Sequence, residues 1–402
     1  MSGDAARLAE ESATATPTIE GEVLRRYAGA ADQAEAALCC AVDGYDKSLL
    51  EKLPQEIIEK DYGCGDPSQW VGPGDVALDL GSGSGKICYV LSQKVGCEGK
   101  VIGVDFNDAM LELSRKYQDE MAARIGYGNI RFVKAKIQDM GLDLDRAGTW
   151  LKAHPVTGIE RLAAFEAECD RLRDEDPGVA DESVDVVVSN CVLNLVKAAD
   201  KKRLFLEIHR VLRRGGRAVI SDVVCDEDPT EAILSDPKLW SGCISGAFRE
   251  DRFLEAFEEA GFYGVEIVSR AAAPWQVLDG IEFRSLTVRA FKGKEGPCLE
   301  RNQAVVYRGP FKKALDDDGH SYHRGRRIAV CDKTFRLLTD AAGPYAGRFE
   351  AIEPNTEVPL DGAMPFDCNN ATVRDPRVTK GQHYSETRLI DGGACCGDGA
   401  CC

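Results

Sequence analysis

The stretch Asp75-Val-Ala-Leu-Asp-Leu-Gly-Ser-Gly-Ser-Gly85 decides the fold. Val76–Leu80 is a short apolar run with strand character. Alternate glycines stop it, and Ile87–Val95 resumes with helical spacing. A strand that ends in glycines and opens into a helix lets a ligand approach main chain that side chains would otherwise block. Working outward, Lys100–Asp105 reads as a second strand, Ala109–Ile125 as a helix and Ile130–Val133 as a third strand. Ser183–Val188 is a fourth strand, valine-rich enough to be buried on both faces. Lys201–Leu212 is a helix stopped by Gly215-Gly216, and Arg217–Ser221 is a fifth strand. This alternation predicts an α/β fold with a doubly wound parallel sheet spanning residues 75–292.

The flanks read differently. Residues 1–22 are small and polar and are expected to form a disordered leader. Residues 23–74 form an N-terminal helical, thiol-bearing segment, in which Leu49, Leu50, Leu53, Ile57 and Ile58 mark a short amphipathic helix restarting at Pro54. Leu142–Asp181, roughly forty residues, exceeds what a compact crossover needs and reads as a helical insertion around Glu160–Arg173. Acceptor-side elements fill 225–292, with a helix at Arg252–Ala260 and strands at Gly264–Ser269 and Glu282–Phe291. The glycines of 293–297 open a C-terminal accessory α+β domain, 293–390, with strands at Gln303–Tyr307 and Arg327–Cys331. The tail, 391–402, is a flexible thiol-bearing strip. A net charge of −17 argues against nucleic acid or an anionic membrane as partner. Neither an apolar run of ~18 residues nor a signal-type h-region is present, so the expected compartment is cytoplasmic, with thiols reduced.

The glycine loop alone does not name its ligand, because dinucleotide enzymes use a similar turn. Three carboxylates favour S-adenosyl-L-methionine. Asp79 precedes the glycines, where it accepts from a cationic amino-acid group and repels a pyrophosphate. Asp105 closes the second strand about twenty residues on, where ribose hydroxyls are held. Asp139, after Ile137-Gln138, follows the third strand, where adenine is expected. The alternative is that all three are loop-capping carboxylates. The expected cofactor residues are Tyr62, Asp79, Gly81, Ser82, Gly83, Gly85, Asp105, Phe106, Ile137, Gln138 and Asn190. The loop Leu80–Gly85, the strand Val101–Asp105 and the run Arg210–Gly216 resemble class I S-adenosylmethionine-dependent methyltransferases, which implies a Rossmann-like sheet but no particular acceptor.

The sixteen cysteines address the acceptor. Cys39 or Cys40, Cys64, Cys191 and Cys243 stand at predicted functional edges, with Cys191 directly after the fourth strand. Cys64 and Cys243 have glycine neighbours. Free cysteine usually packs as a small hydrophobe, and Cys88 and Cys225 fit that reading. No pair among the four candidate positions has zinc spacing, and His209 sits mid-helix, which disfavours structural zinc. Isolated thiols from distant segments suit a soft acceptor such as trivalent arsenic, whose lone pair attacks a sulfonium methyl. Trp240 and Trp275 are candidates for closing the site.

The chain resembles the arsenite methyltransferases almost end to end, through Tyr62-Gly-Cys-Gly65, Asp79–Gly85, Val187–Val196, Trp240-Ser-Gly-Cys243, Gln303–Tyr307 and the closing Gly392–Gly397. The resemblance implies that Cys191 and Cys243 stay on arsenic through successive methylations and that Cys64 is the third ligand. It also implies an N-terminal cysteine, Cys39 or Cys40, as disulfide partner of Cys64. A thioredoxin-type or glutathione reductant would restore the thiols. The substrate would be arsenite or its thiol conjugate, in detoxification or arsenosugar formation. Two alternatives stand beside it: a methyltransferase for another soft or organic acceptor, and a thiol-based metalloid sensor or buffer. The tail cysteines, Cys395, Cys396, Cys401 and Cys402, are expected either to deliver arsenic or to act as a dispensable sponge.

Overall fold

The computed structural model describes residues 18–35, 45–370 and 372–380, so Cys39, Cys40 and the tail thiols lie outside the described residues. The chain divides into two compact units, Met1–Gly293 and Lys294–Cys402.

The first unit is built on β1 (Val76–Leu80), β2 (Lys100–Asp105), β3 (Ile130–Lys134), β4 (Val184–Asn190), β5 (Leu212–Cys225), β6 (Phe248–Arg249), β7 (Tyr263–Arg270), β8 (Gln276–Leu278) and β9 (Ile281–Phe291). The order across the sheet is β3-β2-β1-β4-β5-β9-β7, with β1 to β5 parallel and β9 antiparallel to both neighbours. Every residue of β4 is buried, as its valine run requires. The strand order reverses between β1 and β4, so a crevice opens at their carboxyl ends, where such sheets bind ligands. The period of two sends Leu78 and Leu80 to one core, with Phe205, Phe253, Phe257 and Phe262, and Ala77 to the other, with Tyr89 and Leu91.

Several expected boundaries move, each for a visible reason. The helix Ile19–Asp32 begins inside the expected leader, because Thr18 accepts the Gly21 N–H at 3.1 Å and caps it. The predicted helix Ala109–Ile125 breaks at Tyr117 into Asp108–Lys116 and Gln118–Ile125. β5 runs through Gly215-Gly216 instead of starting after them: the Gly215 N–H donates to the Lys292 carbonyl at 2.8 Å and the Lys292 N–H to the Gly216 carbonyl at 2.9 Å, which carries the ladder across the glycines. The insertion is two helices, Leu144–Ala153 and Ile159–Glu175, around a small core of Leu142, Ala147, Cys169 and Leu172.

In the second unit, β10 (Leu299–Glu300) pairs with a late strand near residue 365. β11 (Ala304–Tyr307) is the centre of a three-stranded sheet, and β12 (Lys313–Leu315) and β13 (Ser321–His323) form a hairpin. β14 (Arg327–Ala329) and β15 (Phe349–Ile352) flank β11, the helix Asp332–Thr339 follows β14, and β16 (Met364–Pro365) closes on β10. Val305, Tyr322, Ile328, Phe335 and Leu338 are its core. Among the described residues, no helix is long and apolar enough to cross a membrane.

Phe257 packs edge-on to Phe205 at 4.9 Å between centroids and is fully buried. Phe257→Ala is expected to cost about 3–5 kcal/mol in urea denaturation. Leu206→Ala, on a half-exposed residue of the neighbouring helix, should stay within roughly 0.5 kcal/mol.

Candidate active site

The crevice holds a pocket of about 1040 Å³. Its walls are Asp79 from β1, the turn Gly81–Ser84, Asp105 at the end of β2 and Phe106 after it, Ile137 and Gln138 after β3, Asn190 at the end of β4 and Cys191 after it, and Tyr62. Gly81 has φ +64, and a Cβ there would come within 2.5 Å of Val192, so the turn needs glycine to pass beside the segment after β4. Burial pushes the Asp79 carboxyl up to about 8, with Asp61 and Asp105 adding in the same direction and a 3.3 Å hydrogen bond from the Cys88 thiol opposing them. Burial also raises the Asp105 carboxyl, against N–H donors from Asn107 at 2.8 Å and Gly83 at 2.9 Å. Ser82 Oγ is buried without a hydrogen-bond partner. Accessible main chain, an unsatisfied hydroxyl and buried carboxylates fit a cationic ligand bearing hydroxyls; a pyrophosphate would meet three carboxylates.

Two expected cofactor residues are placed otherwise. Gly85 does not line the pocket: at φ +87 it opens the helix Lys86–Val95, packed where a Cβ would meet the Ser114 Cβ at 3.0 Å. Asp139 turns away to Arg173 and Arg203, both at 2.9 Å, because the insertion brings an arginine to the end of β3.

The thiols converge beside the pocket. Cys64, Cys191 and Cys243 are all buried in one apolar cluster with Val223, Ile244 and Phe283. The Cys64 and Cys191 sulfurs and an Asp222 carboxylate oxygen lie within 4.8 Å of one another. The Cys243 sulfur stands 3.2 Å from the Cys191 carbonyl. Three devices hold them. Asn190 Oδ1 accepts the Cys64 and Gly65 N–H groups at 2.8 and 3.0 Å while its Nδ2 donates to the Gly65 carbonyl at 2.8 Å. Cys191 has φ 63, and its N–H donates to the Ser221 carbonyl at 2.8 Å. Cys243, also at φ 63, follows the helix Pro237–Ser241, and Asn194 Nδ2 donates to its carbonyl at 3.1 Å. Two adjacent non-glycine residues of one cluster in the left-handed region mark backbone held against its preference.

Sequence reading missed Asp222, Tyr27 and Asp61. Asp222 accepts N–H bonds from Leu193 and Val223, both at 2.8 Å, and burial pushes its carboxyl up to about 6. The expected fifth strand stops at Ser221, so the rule applied to Asp79 and Asp105, a carboxylate at a strand's carboxyl end, already points to Asp222, which the longer β5 takes in. Tyr27 lines the pocket; enclosure and the neighbouring Cys243 and Cys191 thiols hold its phenol well above its ordinary range. Arg26, one residue before it, donates to the Lys238 carbonyl at 3.0 Å and Ser241 Oγ at 2.9 Å, which seats the helix Ile19–Asp32 against the segment leading to Cys243. Cys88 and Cys225 are core, as expected, although Cys88 also serves Asp79, and burial raises the Cys225 thiol to about 12. His209 packs edge-on to Phe262. Trp240 Nε1 donates to the Leu195 carbonyl at 3.3 Å, and Trp275 packs on the thiol cluster.

The sheet order, the glycine turn and the buried carboxylates at the strand ends define a class I S-adenosylmethionine-dependent methyltransferase. A methyltransferase-domain family matches residues 72–149 and 158–261, and a domain of unknown function matches 294–384. The chain is 32% identical over 362 residues to an arsenite methyltransferase of Aquipseudomonas alcaligenes, covering 84% of this chain and 93% of that one. It is 27% identical to the human arsenite methyltransferase, with 96% of each covered. A crystal structure of an arsenic(III) S-adenosylmethionine methyltransferase from Chlamydomonas reinhardtii matches with a TM-score of 0.52 at 29% identity, over 80% of this chain and 98% of that one. The chain belongs to the arsenite methyltransferase family.

A methyl group on Gly63 would stand 2.2 Å from Asn190 Nδ2, whereas nothing lies within 4 Å of the same position on Gly148. Gly63→Ala is therefore expected to cost about 1–3 kcal/mol and to speed hydrogen exchange at the Cys64 and Gly65 amides. Gly148→Ala, inside the helix Leu144–Ala153, should stabilise by up to about 1 kcal/mol.

Proposed function

We propose that the chain transfers methyl groups from S-adenosylmethionine to trivalent arsenic held by Cys64, Cys191 and Cys243, giving mono- and dimethylated products. The observation that carries this reading is the convergence of Cys64 and Cys191 sulfurs within 4.8 Å, with Cys243 beside them, on a wall shared with the cofactor pocket through Cys191. Bound there, the cofactor supplies an electrophilic methyl on a sulfonium. Asp79 takes its amino-acid cation and Asp105 its ribose hydroxyls, Gly81 and Gly83 let it approach the main chain, and Ile137, Gln138, Phe106 and Tyr62 enclose the rest. The three thiols displace oxygen ligands from arsenite, and their protons leave with those ligands. Thiolate-bound arsenic keeps its lone pair, so the substrate brings its own nucleophile, and the chain's task is to aim it. Asp222, within 4.8 Å of the Cys64 and Cys191 sulfurs, is placed to pass a thiol proton on to the departing oxygen ligand.

Methylation raises arsenic formally to the pentavalent state. Cys64 with Cys39 or Cys40 then supplies the two electrons as a disulfide, which a thioredoxin- or glutathione-type reductant of a reducing cytoplasm reopens. This division leaves Cys191 and Cys243 on arsenic throughout.

With arsenite, labelled S-adenosylmethionine and a thiol reductant, product speciation should show methylated arsenic, and Cys191→Ser or Cys243→Ser should lower turnover by about 100-fold or more, as lost positioning does. Turnover of an organic acceptor that survives both changes would sink the assignment, as would arsenite binding without cofactor consumption.

Asp79 gives a pH signature. In the unliganded protein its carboxyl titrates near 8; below that it is protonated and neutral, and a bound cation must expel the proton. Affinity for S-adenosylmethionine should therefore fall as pH drops from 8 to 6, approaching about tenfold per unit, with proton release on binding near pH 7. Calorimetry in buffers of different ionisation enthalpy measures that release. Asp79→Asn should bind more weakly at pH 8 and lose the slope; a slope retained in Asp79→Asn refutes the assignment.

A further inference from the structure

The second unit contains a thiol cluster that the catalytic reading does not use. Cys298, Cys331 and Cys368 come from three separate stretches, yet their sulfurs lie within 4.8 Å of one another. Two features bring them there. β10 and β16 pair with Leu299 opposite Pro365, and the Phe366 N–H donates to the Cys298 carbonyl at 2.8 Å, so Cys298 and Cys368 leave the same end of one ribbon. Cys331 caps the helix Asp332–Thr339: its sulfur accepts the Thr334 N–H at 3.4 Å and stands 3.2 Å from Thr334 Oγ1. Cys331 is fully buried while Cys298 and Cys368 are half-buried. Cys331 and Cys368 also line a cavity of about 680 Å³ with Thr334, His320 and Phe366, which gives the cluster an approach from solvent.

We propose that Cys298, Cys331 and Cys368 form a second, non-catalytic site that binds trivalent arsenic as a three-thiolate complex. The proposal rests on the reading that this chain meets arsenite. Two arguments select the ligand. Thiolates choose soft centres. Among the described residues the group contains three sulfurs and no histidine or carboxylate, whereas a structural zinc ion takes four ligands. His320, the histidine lining the adjoining cavity, is held at Nδ1 by Asp316 at 2.8 Å. Three thiolates also neutralise a trivalent centre, but would leave one uncompensated negative charge around a divalent one, which is costly where it is partly buried. The chemistry is ligand exchange without redox: three As–O bonds break, three As–S bonds form, and each thiol proton leaves with a hydroxide as water. Occupancy ties the β10–β16 ribbon to the start of the helix Asp332–Thr339.

The test uses the reduced, full-length chain with serine at Cys39, Cys40, Cys64, Cys191, Cys243, Cys395, Cys396, Cys401 and Cys402. After incubation with arsenite and gel filtration it should retain one equivalent of arsenic, with three sulfur neighbours by X-ray absorption. Further Cys298→Ser or Cys368→Ser should weaken retention at least tenfold. Loss of all arsenic from a variant with native circular dichroism overturns the site, as does retention unchanged by those further substitutions. Zinc that binds stoichiometrically and excludes arsenite also overturns it. Should the multiple variant misfold, alkylation mapping of the wild-type chain decides: arsenite should protect all three cysteines, and rapid alkylation of Cys298 and Cys368 under saturating arsenite refutes the proposal. Methylation by the wild-type chain is assayed in parallel. Absent methylation with arsenic at this cluster sinks the catalytic reading alone; normal methylation with none bound here sinks only this inference.

Discussion

The side-chain amide of Asn190 joins two stretches of chain that the sheet alone would leave apart. At the carboxyl end of β4 it accepts two successive N–H groups from Cys64 and Gly65 and returns a donor to the Gly65 carbonyl. Ser285 Oγ donates to the Cys64 carbonyl at 2.6 Å, so the loop is also fixed from β9. Buried amides of this kind are costly to leave unmade and are replaced poorly by any other side chain, because asparagine alone offers acceptor and donor at this reach. Take the clamp away and Cys64 loses its place beside Cys191. The cofactor wall shifts with it, since Asn190 belongs to both. The pocket and the thiol cluster therefore share one mechanical support.

Charge distinguishes the two ends of that shared wall, as the proposed cationic donor and soft acceptor require. Asp61, Asp79 and Asp105 crowd one end of the pocket, and burial opposes ionisation of Asp79 and Asp105 until a cation arrives. Lys86 reaches Asp61 at 2.8 Å and relieves part of the repulsion. Around the thiols, among the described residues, the packing is sulfur with aliphatic and aromatic carbon, and the Asp222 carboxylate stands within 4.8 Å of the Cys64 and Cys191 sulfurs. Nothing there resembles the hard oxygen shell of magnesium or calcium.

The parallel sheet was legible because β1 and β2 announce themselves by apolar runs ended by glycine or acid and β4 by its run of valines, and these depend only on local chemistry. Cys64, Cys191 and Cys243 were legible for a related reason: glycine neighbours and strand-end positions leave a mark in the sequence. What escaped was long-range. Whether Asp139 faces the cofactor depends on an arginine in the insertion, thirty-odd positions away. The extension of β5 back through Gly215-Gly216 depends on β9 supplying partners there, and its continuation past Ser221, which takes in Asp222, depends on Leu286 of β9 lying opposite Asp222. Tyr27 sits on a helix whose seat is set by Arg26 reaching the helix Pro237–Ser241. The Cys298, Cys331 and Cys368 group needs a ribbon of two residues per strand that carries no periodicity of its own.

The left-handed backbone at Cys191 and Cys243 bears on how much order the substrate must supply. A non-glycine residue at φ 63 is uncommon, and two of them in one thiol cluster cost on the order of 1–3 kcal/mol each. The surroundings hold both. The Cys191 N–H is fixed to Ser221, the Cys243 N–H to the Trp240 carbonyl at 3.0 Å, and the Cys243 carbonyl to Asn194, whose own N–H leans on Asp222. The strain is thus met during folding and does not fall on binding. On the proposed function, a thiophilic centre would meet two thiols aimed by the main chain and a third aimed by Asn190, and would spend little of its bond energy ordering them. That is the arrangement a transfer reaction needs when the acceptor carries its own electron pair, since what remains for the protein is to keep that pair pointed at the methyl group.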